Sequence, residues 1–317
     1  MSLVLSELPS SLSSYARTYQ KQILSAILLS DLSFQRYFGT TINTNDEVVM
    51  TELVMGDLLQ PGGKDTFNPT NAGTFKARIG KVRPCKADLT FSPTLIQNLW
   101  KSYLGLIDGG RIKTDTMPFE AFLFAKIVEK VKENLHLKAV FKGRLNSAGT
   151  NPENTMNGLV TLIELAGGNG EIPAANIAAN PAAFTEANAG DQFKAVLNKV
   201  SDTYYDTPMV CIASPFAKRC YDAWYQRTNG NLPYNLEYKK TFLEGTQIEL
   251  ISEPGLSGTN HVIITPKDNL VWLTDNNSSL ENLVVEKEKR NIHLMLDFQA
   301  SADFALGQLI WTNIQPD

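Results

Sequence analysis

The chain has 317 residues, 43% of them hydrophobic and 20% charged, enough to bury the core of one large domain or of two average ones. Its 29 Lys and Arg against 33 Asp and Glu leave a formal net charge of −4. That balance excludes a global basic field for nucleic acid, so any such contact must be local. Three cysteines, Cys85, Cys211 and Cys220, are too few and too scattered for a disulfide framework or a zinc site, and read as reduced, buried thiols. Glu7 precedes the first positive charge and Ser25 interrupts the apolar run from Ile23 to Leu29. Neither a signal peptide nor a bilayer-spanning segment is expected, and the chain reads as a soluble protein, cytoplasmic where it is made.

Taken in order, residues 1–39 form an N-terminal arm. Leu12, Tyr15, Tyr19, Ile23, Ile27 and Leu28 recur at helical spacing, and Phe34, Tyr37 and Phe38 follow in a second short turn. An arm this apolar needs a surface to cover it, either that of a partner or that of its own domain. From 40 to 91 the texture changes to strands, at Glu47–Val54, Thr74–Val82 and Lys86–Phe91, around the turn-rich stretch QPGGKDTFNPTNAG. The simplest geometry is a projecting two-stranded finger, which is marginal in water unless it lies on something else.

Residues 92–157 open with Ser92-Pro93, a cap followed by a first-turn proline, and continue into PFEAFLFAKIVEKVKENLHLKAVF at 118–141. Phe124, Ile127, Val128, Val131 and Leu135 make one apolar face there, while Lys126, Glu129, Lys130, Lys132 and Glu133 line another. This reads as the longest well-formed amphipathic helix, with Pro118 at its first position and Thr116 as cap. Residues 158–290 alternate helices and strands as a compact unit: a helix at 157–163, another at 191–204, a strand at 208–213, a helix at 216–228 stopped by Asn229-Gly230, and strands at 246–251, 262–265 and 270–274. Residues 291–317 alternate as two closing strands that return to the earlier part of the body.

His136, His261 and His293 lie far apart with no Ser, Cys or metal-ligand partner at motif spacing. GGNG at 167–170 follows no strand, and PGLSGTN around Ser257 misses the nucleophile-elbow pattern. Carboxylate pairs such as Glu281/Glu286 and Asp202/Asp206, and the mixed run EKEKR at 286–290, read as solvated faces. No catalytic, cofactor-binding or metal-ligating residue is assigned, and the chain is not read as an enzyme.

The order of these parts resembles the major capsid proteins of tailed bacteriophages, the Hong-Kong-97-type fold. The resemblance is carried by the apolar arm Leu12–Phe38, the loop tip at 60–65, ThrPheAsnProThr at 66–70, ThrPheSerPro at 90–93 and the Pro118 helix. Further along it is carried by Phe141-Lys142-Gly143, Met156-Asn157-Gly158-Leu159, the Met209–Ala213 strand with its Ser214-Pro215 helix, and the segments 249–256 and 263–269. It implies an α+β capsid fold with an N-terminal arm, an extended β-hairpin loop, a peripheral domain with a long spine helix, and an axial domain. It implies a structural shell subunit, self-assembling into pentamers and hexamers of an icosahedral head that encloses DNA through weak non-specific contact. Its setting is then the virion capsid, assembled in the host bacterial cytoplasm without membrane contact. Portal and decoration proteins are the implied partners, with a separate scaffolding protein or none. An encapsulin-type nanocompartment shell enclosing a cargo enzyme is the alternative. Subunit-interface candidates are Tyr19, Ile23, Ile27, Leu28 and Phe34 on the arm, Leu58, Leu59, Pro61, Lys64, Asp65 and Phe67 on the finger, and Lys126, Glu129, Lys130 and Glu133 on the spine. Lys64 is also a candidate cross-link donor, with no particular partner assigned. Deleting residues 1–30 is expected to leave a folded body that cannot form shells.

Overall fold

A computed structural model of the chain describes residues 7–28, 37–54, 59, 73–113, 117–179, 182–230, 234–235, 240–275 and 283–316. Phe34 of the arm, Leu58, Pro61, Lys64, Asp65 and Phe67 of the finger, and Thr116 lie outside the described residues. The chain begins with helix α1 (Leu8–Leu28), followed by strands β1 (Thr40–Asn43), β2 (Glu47–Val54), β3 (Thr74–Lys81) and β4 (Arg83–Phe91). Helix α2 (Pro93–Asp108) starts as the sequence predicts: the Ser92 hydroxyl accepts from the Leu95 N–H at 3.4 Å and Pro93 stands at the first position.

Helix α3 (Phe119–Asn134) differs from expectation at both ends. Pro118 is its extended cap residue rather than its first helical one; the proline ring, with φ −61 and ψ 163, leads the chain in, and its carbonyl accepts from the Phe122 N–H at 3.1 Å. At the other end the helix runs on into a π turn, Leu135–Ala139. Nor is α3 the longest helix, since α1 has 21 residues against its 16.

Helices α4 (Leu159–Gly168), α5 (Ala189–Leu197) and α6 (Pro215–Asn229) alternate with β5 (Val210–Ala213), the short pair β6 (Tyr234–Asn235) and β7 (Lys240–Thr241), and strands β8 (Glu249–Ser252), β9 (Val262–Thr265) and β10 (Leu270–Thr274). The predicted helix at 191–204 divides, with α5 ending at Leu197 and a separate 3₁₀ turn at Asp202–Tyr204. Helix α6 is bounded by chemistry visible in the sequence. The Ser214 hydroxyl accepts from the Ala217 N–H at 3.2 Å, and Gly230 takes the left-handed conformation, φ +75, that a side chain resists. Strands β11 (Leu283–Glu288), β12 (Asn291–Phe304) and β13 (Trp311–Thr312) close the chain.

Two main sheets organise these pieces. In the first, the 14-residue β12 pairs antiparallel with β4, β10 and β11, and β1 adds parallel to β10. Strand β10, expected in the 158–290 unit, and β11, a strand the sequence reading did not assign in that unit, therefore join a sheet with β4 from before the spine. The reverse holds for β13, which pairs with β9 in the second sheet, ordered β13-β9-β5-β8. Among the described strands β12 is the longest, and it pairs with β11 over 291–296, with β4 over 292–300 and with β10 over 300–304.

The inner strands of the second sheet, β5 and β9, have no solvent face. Along β5, Val210 and Ile212 belong to the core shared with α1–α4, whereas Cys211 and Ala213 belong to the core shared with α5 and α6. Along β9, Ile263 faces the first core while Val262 and Ile264 face the second. Successive side chains of a strand point to opposite faces, so this sheet is the wall between two cores, and its two inner strands, β5 and β9, are buried at every position.

Helix α1 lies over β11 and α3. Leu12, Ala16, Ile27 and Leu28 are at most 2% exposed, and the Trp272 indole N–H donates to the Leu28 carbonyl at 3.2 Å. Of the two surfaces the sequence left open for the arm, the one that covers α1 is in its own chain.

Candidate assembly surfaces

Strands β2 and β3 form the root of the finger, in register Glu47↔Lys81, Val49↔Ile79 and Thr51↔Ala77 on one face and Val48↔Gly80 and Met50↔Arg78 on the other. The second face lies on the body: Val48 and Met50 pack against Val82, Val271 and Leu273. The first is solvent-facing, and there Val49 and Ile79 are 59% and 52% exposed. Two β-branched residues opposite each other make an apolar spot, bordered by the Lys81–Glu47 ion pair.

A charged clamp holds this root in place. Arg78 donates from Nε and Nη2 to Asp303 Oδ1 at 2.9 and 2.8 Å, reaches Glu171 through Nη1, and stacks 3.8 Å over the Phe304 ring. Asp303 is almost wholly buried, and its carboxyl also accepts from the Phe304 N–H at 2.8 Å. Burial pushes its pKa above the ordinary value despite the opposing pull of Arg78. Arg78 was not among the residues singled out from the sequence. In β3 it reads as one more polar position of an alternating strand, and its acidic partners come from distant segments.

The arm and spine candidates separate into two groups. Ile23, Ile27 and Leu28 are buried inside the chain, so in this fold they face α3, β11 and Trp272 rather than a neighbour. Tyr19 stays at the surface: its ring lies 4.5 Å from Tyr15, which stacks 5.6 Å from Phe124. These rings, with Ala26, Ala121 and Ala125, line a shallow groove of about 450 Å³ between α1 and α3. On the outer face of α3, Lys126 pairs with Glu129 at 2.8 Å and Lys130 with Glu133 at 2.9 Å, all four exposed. Spacing of three residues brings each pair together on the helix surface, so this strip is neutral within itself. Leu59 is 97% exposed.

The thiols and imidazoles do not converge. Burial pushes the Cys85 thiol up to about 12 and raises that of Cys211 as well, which suppresses the reactive thiolate. His293 Nδ1 lies 3.0 Å from the Thr90 hydroxyl at the surface, His261 is half-buried with its pKa lowered by desolvation, and His136 meets Glu253. Among the described residues no cluster of His, Cys, Asp and Glu could hold a metal ion, and no helix is long and apolar enough to cross a membrane.

The arrangement of arm, finger root, long helix and two shared cores is the Hong-Kong-97-type capsid fold. Neither a protein-family model nor a curated protein matches the chain, but solved structures do. A chain of the satellite phage P4 procapsid, a structure that includes a size determination protein, matches with TM-score 0.56 and 11% identity over 93% of this chain and 89% of that one. The cyanophage A-1(L) capsid matches with TM-score 0.57 and 11% identity over 92% and 94%. The holo-SrpI encapsulin complex from Synechococcus elongatus matches with TM-score 0.50 and 12% identity over 90% and 89%. At such identities the likeness is one of fold, α+β with helices and sheets in the same arrangement.

Proposed function

We propose that this chain is a structural shell subunit, the major capsid protein of a tailed phage or prophage, and that copies of it assemble into pentamers and hexamers of an icosahedral head. The observation that carries the reading is the capsid fold matched over about nine-tenths of both chains. The exposed Val49/Ile79 pair supports it: an apolar spot on a two-stranded projection is stabilised by meeting another subunit. Tyr19 and the α1–α3 groove, Leu59 with the finger residues 58–67, and the ion-paired strip Lys126, Glu129, Lys130 and Glu133 are the other contact surfaces of this reading. The subunit is not an enzyme and carries no cofactor. DNA is enclosed with weak, non-specific contact, as the net charge of −4 requires of the subunit as a whole. The head assembles in the host bacterial cytoplasm with portal and decoration proteins, and with a separate scaffolding protein where one is needed. The five-part division, with arm 1–39, finger 40–91, peripheral residues 92–157 and 291–317 and axial residues 158–290, is the domain plan of this reading, amended by the exchange of β10, β11 and β13 between sheets.

An encapsulin-type shell enclosing a cargo enzyme is the second reading, favoured by one observation: a helix, α1, folds back onto the spine in a chain that also matches an encapsulin. Negative-stain microscopy with light scattering tests both. Closed shells tens of nanometres across are expected of either, and a stable monomer at every concentration overturns both. Co-expression of a cargo enzyme that is retained inside the shells selects the second reading over the first.

A further inference from the structure

The end of α3 carries an irregularity that the shell reading does not use. Over Leu135–Ala139 the helix widens into a π turn, in which the Val140 N–H donates to the Leu135 carbonyl at 2.9 Å across five residues. A π turn holds one residue more than an α turn and is rare, persisting where surrounding contacts favour it. Here the contact is made by His136. Its Nε2 meets Oε1 of Glu253, a side chain with no exposed surface. Oε1 also accepts from the Gly255 N–H at 2.6 Å, while Oε2 has no hydrogen-bond partner among the described residues. A carboxylate so buried is strongly disfavoured without a paired donor, so the imidazole is drawn to it and held.

The 253–257 turn is wedged against the same stretch. A Cβ on Gly255 would fall 2.5 Å from the Phe141 ring and 2.8 Å from the His136 carbonyl oxygen, so only glycine fits. Lys142 Nζ donates to the Ser257 carbonyl at 2.8 Å, and the Glu253 N–H donates to Ala213 at the end of β5, also at 2.8 Å. The π turn is thereby tied, through Glu253, to the sheet that walls off the second core.

We propose that the π turn Leu135–Ala139 is a two-state joint between α3 and the β13-β9-β5-β8 sheet, latched in its wide register by the His136–Glu253 pair. Release of the pair lets the turn close to α-helical pitch. Each residue beyond it then shifts by one place, which is a rotation of about 100° and a rise of about 1.5 Å. Phe141 leaves the 253–257 turn, and α3 gains freedom to change direction relative to that sheet. Discrete alternatives of this kind are how packed proteins change shape, because cores deform in steps.

Hydrogen exchange of the full-length chain, read by mass spectrometry, tests the joint whether or not shells form, so its failure is separate from failure of the shell reading. In the wild type the Val140 amide is expected to exchange at least tenfold faster than Ile127–Val131 of α3 and Ile263 of β9, since a local joint opens before the core does. Glu253→Gln, and separately His136→Leu, should raise exchange over 135–143 a further tenfold while leaving β9 and β12 unchanged. His136→Gln, which keeps a donor, should restore protection. Exchange at Val140 that occurs only with global unfolding in the wild type overturns the proposal without any variant. A folded Glu253→Gln protein with unaltered protection over 135–143 overturns it as well.

Discussion

Arg78 joins three groups that no local pattern connects: Asp303, Glu171 and the Phe304 ring. Removing it would leave Asp303 buried with its main counter-charge gone, so Arg78→Ala should cost about 3 kcal/mol in denaturant unfolding. The double variant Arg78→Met/Asp303→Leu should cost less than Arg78→Ala, because no charge is then stranded. His261 supplies a pH dependence of definite sign. Desolvation depresses its pKa in the folded state, so the unfolded chain binds the proton more readily. Its contribution is therefore complete above the ordinary histidine value of about 6.5 and is lost as pH falls through the folded value. Stability measured between pH 7 and 5 should fall less steeply in His261→Gln than in the wild type. Cys85 and Cys211, raised by burial, should resist alkylation at pH 8 in the native protein and react fully in denaturant.

Among the elements, α1 is where the structure most changes the expectation. Its apolar positions were legible from their helical spacing, but the surface they cover was not. Leu12 and Ile27 are core residues of this chain, so Leu12→Ala or Ile27→Ala should each destabilise the isolated subunit by about 3 kcal/mol in denaturant melts. Deleting residues 1–30 should accordingly lower the melting temperature sharply, where the sequence alone pointed to an intact body lacking only assembly. Helix α6 is the opposite case. Ser214, Pro215 and Gly230 bound it in the sequence as they do in space, because a cap is satisfied within a few residues of itself. The helix expected to run through Tyr204 stops at Leu197, since apolar spacing continues across a break that only the backbone hydrogen bonds reveal. Strands β9 and β10 agree with their predicted spans, yet their sheets could not be read: every position along each is buried, and a strand without polar and apolar alternation shows no face.

For the molecule as a whole, the outward face of the finger is the surface on which the proposed assembly is most directly tested. Val49→Asp with Ile79→Asp changes two exposed side chains and should leave far-ultraviolet circular dichroism and melting temperature near wild type. Light scattering of the same protein should show subunits that no longer form shells. Shells of normal size from this variant would remove the finger face from the contact set. The sequence did carry a trace of that surface, since Val48, Val49 and Met50 are apolar in succession where a half-buried strand should alternate.

By itself the sequence determined most of the longer helices and strands, though not β1, β6, β7 or β11, together with the caps of α2 and α6 and the two strands that flank the finger. These follow from interactions spanning a few residues, which spacing and side-chain chemistry encode directly. Tertiary structure alone decided that α1 covers its own body, that β10 and β11 pair with the strands flanking the spine while β13 crosses to the other sheet, and that Arg78 finds Asp303, 225 positions away. Such choices depend on which surfaces meet once the chain has closed on itself, and burial there is shared among partners that no local pattern names.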